Sequence, residues 1–163
     1  MVNARQKGTK AEKEVAAMLK RHTGLDYIQT PGSGSGKIKG DLYVEHKHNL
    51  FLIEVKHYKD MGFSHKIFTQ KSNNLVVWWN KAIRQAQEME QEPIIFMKQN
   101  YANWYVVTTR RPKKDKRYMH INWLGAYVMN AEKWLANEKI KLTNGDRFLK
   151  PWEPDPEWEL TNS

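Results

Sequence analysis

Two carboxylates and an ammonium, spaced for chemistry, fall in the first third of the chain. Asp41 opens Asp41-Leu42-Tyr43-Val44, and thirteen residues after it Glu54 and Lys56 lie in Leu50-Phe51-Leu52-Ile53-Glu54-Val55-Lys56. That run alternates at the strand period of two, so Phe51, Ile53 and Val55 share one face while Leu52, Glu54, Lys56 and Tyr58 share the other. An antiparallel partner carrying Asp41, reached through the turn-like His46-Lys47-His48-Asn49, brings a second carboxylate beside them. Such a set suits a Mg²⁺-dependent phosphodiesterase: hard oxygen ligands for the cation, and an ammonium to hold a phosphate oxygen or an attacking water. Taken alone, Glu-x-Lys is equally an ordinary charged pair on a solvated strand face, so its surroundings decide.

Directly before Asp41 lies Pro31-Gly32-Ser33-Gly34-Ser35-Gly36-Lys37-Ile38-Lys39-Gly40. Glycine lets a backbone approach a ligand closely, and serine and lysine beside it can meet phosphate. The spacing is not that of a Walker loop, and a flexible linker is the other reading. Further upstream, a helix is expected from Thr9 to roughly Arg21. Thr9-Lys10-Ala11-Glu12 reads as a capping box, with Glu12 satisfying a free backbone N–H. Glu12 also shares a face with Val15, Ala16 and Leu19, and a carboxylate on an apolar stripe needs a partner or a metal. Both readings of Glu12 stand at this point.

Together, Lys7-Gly8-Thr9-Lys10-Ala11-Glu12, Pro31-Gly32-Ser33-Gly34, Asp41 and Glu54-Val55-Lys56 resemble the archaeal-type Holliday-junction resolvases, a branch of the PD-(D/E)XK, or restriction-endonuclease-like, nucleases. Order and spacing are both similar: twenty-one residues from Glu12 to Ser33, eight to Asp41 and thirteen to Glu54. Four elements at family spacing are far more specific than any one. The resemblance spans residues 5–60 and continues to residue 109. It implies metal binding at Asp41 and Glu54, with the Val55 carbonyl as a further ligand and Lys56 in the catalytic lysine role. Glu12 is implied as the helix carboxylate that completes the metal site directly or through water, and Ser33 as the loop hydroxyl near the scissile phosphate. One departure is visible: Gly40 stands where the family usually has proline, a position that commonly varies and mainly affects how the strand begins.

The fold implied by the resemblance is α/β, a restriction-endonuclease-like mixed central sheet flanked by helices in the order α-β-β-β-α-β with a C-terminal addition. The implied function is a Mg²⁺-dependent, structure-selective DNA endonuclease that resolves four-way junctions by paired symmetric cuts, with Mn²⁺ expected to substitute. Branched DNA is the implied partner, cut by a C2 homodimer. Two other readings remain: a nuclease of the same superfamily acting on flapped, nicked or plain duplex DNA, and a catalytically silent DNA-binding protein. The complete acidic and lysine set argues against the silent form.

Composition agrees. The 163 residues carry a net charge of +9, which favours a polyanionic partner, and no cysteine, which excludes a disulfide framework, a thiolate zinc site and a cysteine nucleophile. Residues 1–150 read as one nuclease domain, and 151–163 as an acidic Pro/Trp-rich tail with four carboxylates and no basic residue. The first 150 residues therefore hold +13. Candidate phosphate contacts fall at Arg5, Lys7 and Lys10, at Lys37 and Lys39 with Ser33, and at Arg110, Arg111, Lys113 and Lys114 in a basic loop that reads equally as merely solvated. No signal peptide or long apolar run appears, so a soluble, cytoplasmic, DNA-associated protein without membrane contact is expected.

The remaining elements follow from periodicity. Asn73 or Asn74 caps a helix to about Gln91; Pro93–Lys98 and Trp104–Thr108 read as strands; a helix near Ala131–Asn137 and a hairpin around Thr143-Asn144-Gly145-Asp146 look like a peripheral addition. His46 and His48 are expected exposed rather than metal-bound, His57 faces away from Glu54, and Trp78, Trp79 and Trp104 are expected in the core, with Trp123 undecided.

Overall fold

The computed structural model describes residues 4–31, 38–59 and 64–144, with side chains from Gly8 onward. The glycine-rich loop with Ser33 and Lys37, the side chains of Arg5 and Lys7, and the acidic tail lie outside the described residues. Helix α1 (Ala4–Thr23) buries Ala11, Val15, Met18 and Leu19, a stripe at helical spacing, and ends in Lys20, Arg21 and His22, cations suited to a helix C-terminus. The helix begins five residues earlier than the expected start at Thr9. Glu12 therefore lies well inside it, where backbone N–H groups already have helical partners, and the capping-box reading falls away.

Among the described residues the sheet has seven strands: β1 (Tyr27–Gln29), β2 (Leu42–Val44), β3 (Phe51–Tyr58), β4 (Glu92–Gln99), β5 (Tyr105–Thr108), β6 (Met119–Ile121) and β7 (Ala126–Asn130), in the order β1-β2-β3-β4-β5-β7-β6. All neighbours are antiparallel except β3 and β4, which run parallel over eight residue pairs, from Phe51↔Glu92 to Tyr58↔Gln99. A parallel pair needs a crossover. It is supplied by α2 (Asn74–Glu88), whose N-terminus is capped by Asn73 Oδ1 accepting from the Leu75 N–H at 3.1 Å. The expected α-β-β-β-α-β order is present, and the sheet is mixed and flanked by helices.

The alternation of β3 sorts the core into two layers. Phe51, Ile53 and Val55 pack with α1 and with α3 (Ala131–Glu138), alongside Ile94, Phe96 and Val106. On the other side, Ile95, Met97 and Val107 pack beneath Leu75, Val76, Trp79, Ala82 and Ile83 of α2. Glu54 and Lys56 thus face the α2 side. The C-terminal addition is not peripheral: Trp134 is 1% exposed and meets Phe96 edge-on at 6.4 Å, and Leu135 and Leu142 join the same core. The hairpin expected around Thr143-Asn144-Gly145-Asp146 lies partly outside the described residues, at Gly145 and Asp146; Thr143 itself bridges to Asn49, with Leu142 O accepting from the Leu50 N–H at 3.0 Å. A single-residue bridge of this kind leaves no local pattern for sequence reading to detect.

Candidate active site

Asp41 stands at the start of β2, held from both sides. Its N–H donates to Ile53 O at 2.8 Å, and its carbonyl accepts from the Thr30 N–H at 2.9 Å. Its Oδ2 accepts from the Val55 N–H at 2.7 Å, taking the place of a strand carbonyl where the β2–β3 ladder ends. One carboxylate oxygen is therefore fixed by the main chain. Gly40 makes this approach feasible: its φ is +86°, and a Cβ there would meet Ile53 O at 3.1 Å and Leu52 Cγ at 3.2 Å. Proline, locked near −65°, cannot adopt that angle, which accounts for the departure from the family's usual residue.

Glu54 is hydrogen-bonded to Asp41 through its side chain, and its pKa is pushed up to about 8 by burial first, then by the neighbouring Asp41 charge and that shared hydrogen bond. Lys56 and Lys81 act in the opposite direction, favouring the ionised form. Glu12 reaches the same cluster from α1. Its pKa is raised to about 7 by burial and by Asp41, against a hydrogen bond from Gln29 that favours the charged form. Gln29 also donates from Nε2 to the Thr9 carbonyl at 3.2 Å, tying β1 to α1 beside Glu12. Lys56 lies with its Nζ 5.9 Å from the centre of the Trp78 ring.

The structure therefore brings together Glu12, Asp41, Glu54 and Lys56, as the spacing implied. Three contributors carried no sequence signal: Gln29 on β1, and Lys81 and Trp78 on α2. Trp79 is fully buried, its Nε1 donating to Leu124 O at 2.7 Å, as expected of a core residue. Trp78 is only partly buried and borders the site, and Trp104 is partly buried with its Nε1 donating to Glu14 Oε2 at 3.2 Å. A helical pattern cannot tell two adjacent tryptophans apart when the site itself forms part of the helix environment.

Of the candidate phosphate contacts, Lys10 is exposed on α1 and Lys39 is half-buried near Asp41. Arg110 is committed elsewhere: Nε and Nη2 donate to Glu92 at 2.7 and 3.1 Å, and the guanidinium lies 5.2 Å from the Phe51 ring centre. Arg111 Nε donates to the Tyr118 hydroxyl at 2.8 Å, and the backbone N–H groups of Lys113 and Lys114 donate to Glu138, leaving both lysine side chains exposed. Glu92 pairs with Phe51 while Met97 pairs with Lys56, so this loop sits about 16 Å along the sheet from Lys56.

Among the described residues, no three His, Cys, Asp or Glu side chains stand close enough to enclose an ion as they are. Asp41 and Glu54 are nonetheless in direct contact, and two carboxylates sharing a proton are a donor set that a divalent cation can take over. Glu12 acts on Asp41 electrostatically without joining that contact, which fits an approach through water.

The family described as "Phage putative PDDEXK endonuclease" matches residues 3–146. Protein D14 of Escherichia phage T5 is 31% identical over 112 residues, spanning 64% of this chain and 70% of that protein. Among solved structures, Hjc, a Holliday junction resolvase from the archaeal hyperthermophile Archaeoglobus fulgidus, is similar at a TM-score of 0.43 and 15% identity over 76% of this chain and 88% of that one.

Proposed function

The chain belongs to the phage PDDEXK endonuclease family, and from that premise we propose that it is a Mg²⁺-dependent, structure-selective DNA endonuclease acting on four-way junctions. One observation carries the chemistry: Glu12, Asp41, Glu54 and Lys56, from three separate segments, meet where β2 and β3 part. Asp41 and Glu54, with the Val55 carbonyl, would hold the cation, and Glu12 would complete its shell through water. When bound, a hard divalent ion supplies a Lewis acid for the phosphoryl oxygens and neutralises charge on the leaving oxygen. Mn²⁺ would serve in its place.

The chain's own residues do the rest. The Val55 N–H holds Asp41 in one orientation, so that no rearrangement is needed as charge develops. Lys56, on the same strand face as Glu54, offers its ammonium to a non-bridging phosphate oxygen or to the attacking water. Attack by water forms one P–O bond and breaks the P–O3′ bond, leaving a 5′-phosphate and a 3′-hydroxyl that takes up a proton. Resolving a junction requires two cuts related by a two-fold axis, so the proposal includes a C2 homodimer. The exposed Lys10, Lys113 and Lys114 and the half-buried Lys39 are proposed phosphate contacts that set affinity rather than shape preference.

The test is cleavage of end-labelled four-way junction, flap, nicked duplex and linear duplex side by side, with and without Mg²⁺. The proposal predicts Mg²⁺-dependent paired cuts placed symmetrically in the junction. Equal cleavage of all four substrates would make the chain a general duplex nuclease, and faster cutting of the flap or nick would move the substrate there.

A further inference from the structure

Beyond the carboxylates, the α2 side of the site carries an aromatic surface with no catalytic task. Tyr58 ends β3 on the face of Glu54 and Lys56, and its ring centre is 4.8 Å from that of Trp78 at a tilt of 36°. Trp78 backs the tyrosine from α2 and holds the Lys56 Nζ at 5.9 Å from its own centre. Tyr58 is 46% exposed although it is a large ring. Lys81, one turn beyond Trp78, acts on Glu54 from the same helix. An open ring, braced from behind by Trp78, whose own ring lies against the Lys56 ammonium, adjoins the position where the scissile phosphate would lie.

We propose that Tyr58, backed by Trp78, is a stacking subsite for an unstacked nucleobase next to the scissile phosphate. The inference rests on the nuclease reading and deepens it by naming what the site selects. In uniform duplex every base is already stacked, and occupying the shelf requires breaking that stack; at a branch, flap or single-stranded end the base is available at little cost. The position of the shelf argues for a nucleotide: it adjoins Lys56 and the proposed scissile phosphate, and a base there is carried on that same phosphate backbone. Selectivity for distorted DNA would then reside partly within one subunit.

The variants are Tyr58→Leu, which removes the ring, and Tyr58→Phe and Tyr58→Trp, which keep one. Each is measured for cleavage of a flap and of a linear duplex of the same sequence under kcat/KM conditions in Mg²⁺, and for metal-free binding of oligothymidylate by fluorescence anisotropy. Tyr58→Leu is expected to lower the flap-to-duplex ratio and the oligothymidylate affinity roughly tenfold each, while Phe and Trp retain both. Equal losses on flap and duplex with unchanged oligothymidylate affinity would overturn the proposal, because the ring would then only be positioning Lys56; so would no loss at all. A wild-type protein that cuts no DNA would defeat the nuclease reading, and the oligothymidylate comparison would still decide whether the shelf binds a base.

Discussion

Two glutamates on adjacent strands of this sheet live in opposite circumstances. Glu92, at the start of β4, is 8% exposed, yet its oxygens receive two hydrogen bonds from Arg110 and one from the Thr109 hydroxyl at 2.9 Å. Glu54, three pairs further along on β3 and thus about 10 Å away, has another carboxylate as its nearest partner. Each glutamate is one residue of a β-strand in the same layered core. The difference lies in compensation: one charge is matched within the chain, and the other is left for something outside it. A buried carboxylate matched by the chain reads as structural; one opposed by a second carboxylate reads as a functional-site candidate, whose missing partner under the proposed function is the cation.

The largest effects should separate the two regions cleanly. Asp41→Ala, Glu54→Ala or Lys56→Ala should each lower the cleavage rate by two or more orders of magnitude while thermal melting shows an intact fold. Glu92→Ala should do the reverse, costing about 2 kcal/mol of stability in a denaturant titration with little change in rate per folded molecule. A Glu92 variant that folded fully yet cut DNA a hundredfold more slowly would break the contrast.

Next in size is Glu12→Gln. With the capping role excluded by the helix start at Ala4, loss of the charge should lower cleavage roughly tenfold to a hundredfold and raise the Mg²⁺ concentration needed for half-maximal rate. Near-normal cleavage at low Mg²⁺ would remove Glu12 from the site. Lys81→Ala should give a smaller loss, about tenfold or less, because its ammonium acts on Glu54 at a distance rather than in contact. A larger loss than that of Lys56→Ala would exchange the roles of the two lysines.

The electrostatic half of the contrast is open to a stability measurement. The folded pKa values of Glu12 and Glu54, about 7 and about 8, lie above the 4.5 of an unperturbed glutamate. The folded protein therefore holds more protons than the unfolded chain between those limits. Their contribution to stability is fully present below about pH 4.5 and is lost as pH rises through about 7 to 8. The metal-free melting temperature should fall between about pH 4.5 and about pH 8, and Glu54→Gln should flatten that fall. An unchanged slope in Glu54→Gln would mean that the pair is not the origin of the strain.

Much of this arrangement is legible in the chain. Alternation alone assigns Glu54, Lys56 and Tyr58 to one face of β3, and the pair Asn73-Asn74 marks the start of α2, the structure choosing Asn73 as the cap. The spacing of Glu12, Asp41, Glu54 and Lys56 carries the family. What escaped depends on contacts distant in sequence. The three-residue strands β1 and β6 have no period to detect and exist through their partners. Gln29 matters only because β1 lies beside α1, and Arg110 is spent on Glu92 eighteen residues away. Thr9-Lys10-Ala11-Glu12 satisfies the local rule for a helix start, but the helix extends upstream to Ala4, so the local signal misleads. Gly40 stands out in the sequence as a departure, while its reason, a positive φ beside Ile53 O, is visible only in three dimensions.

The most direct test of the account is a crystal of the protein grown with Mn²⁺ and measured at the manganese absorption edge. The account predicts an anomalous peak between the carboxylates of Asp41 and Glu54, with coordination distances of roughly 2.1 Å and Glu12 linked through water. The same crystal of Glu54→Ala should show the peak weakened or gone. Manganese bound elsewhere, with Asp41 and Glu54 still sharing their hydrogen bond, would contradict it.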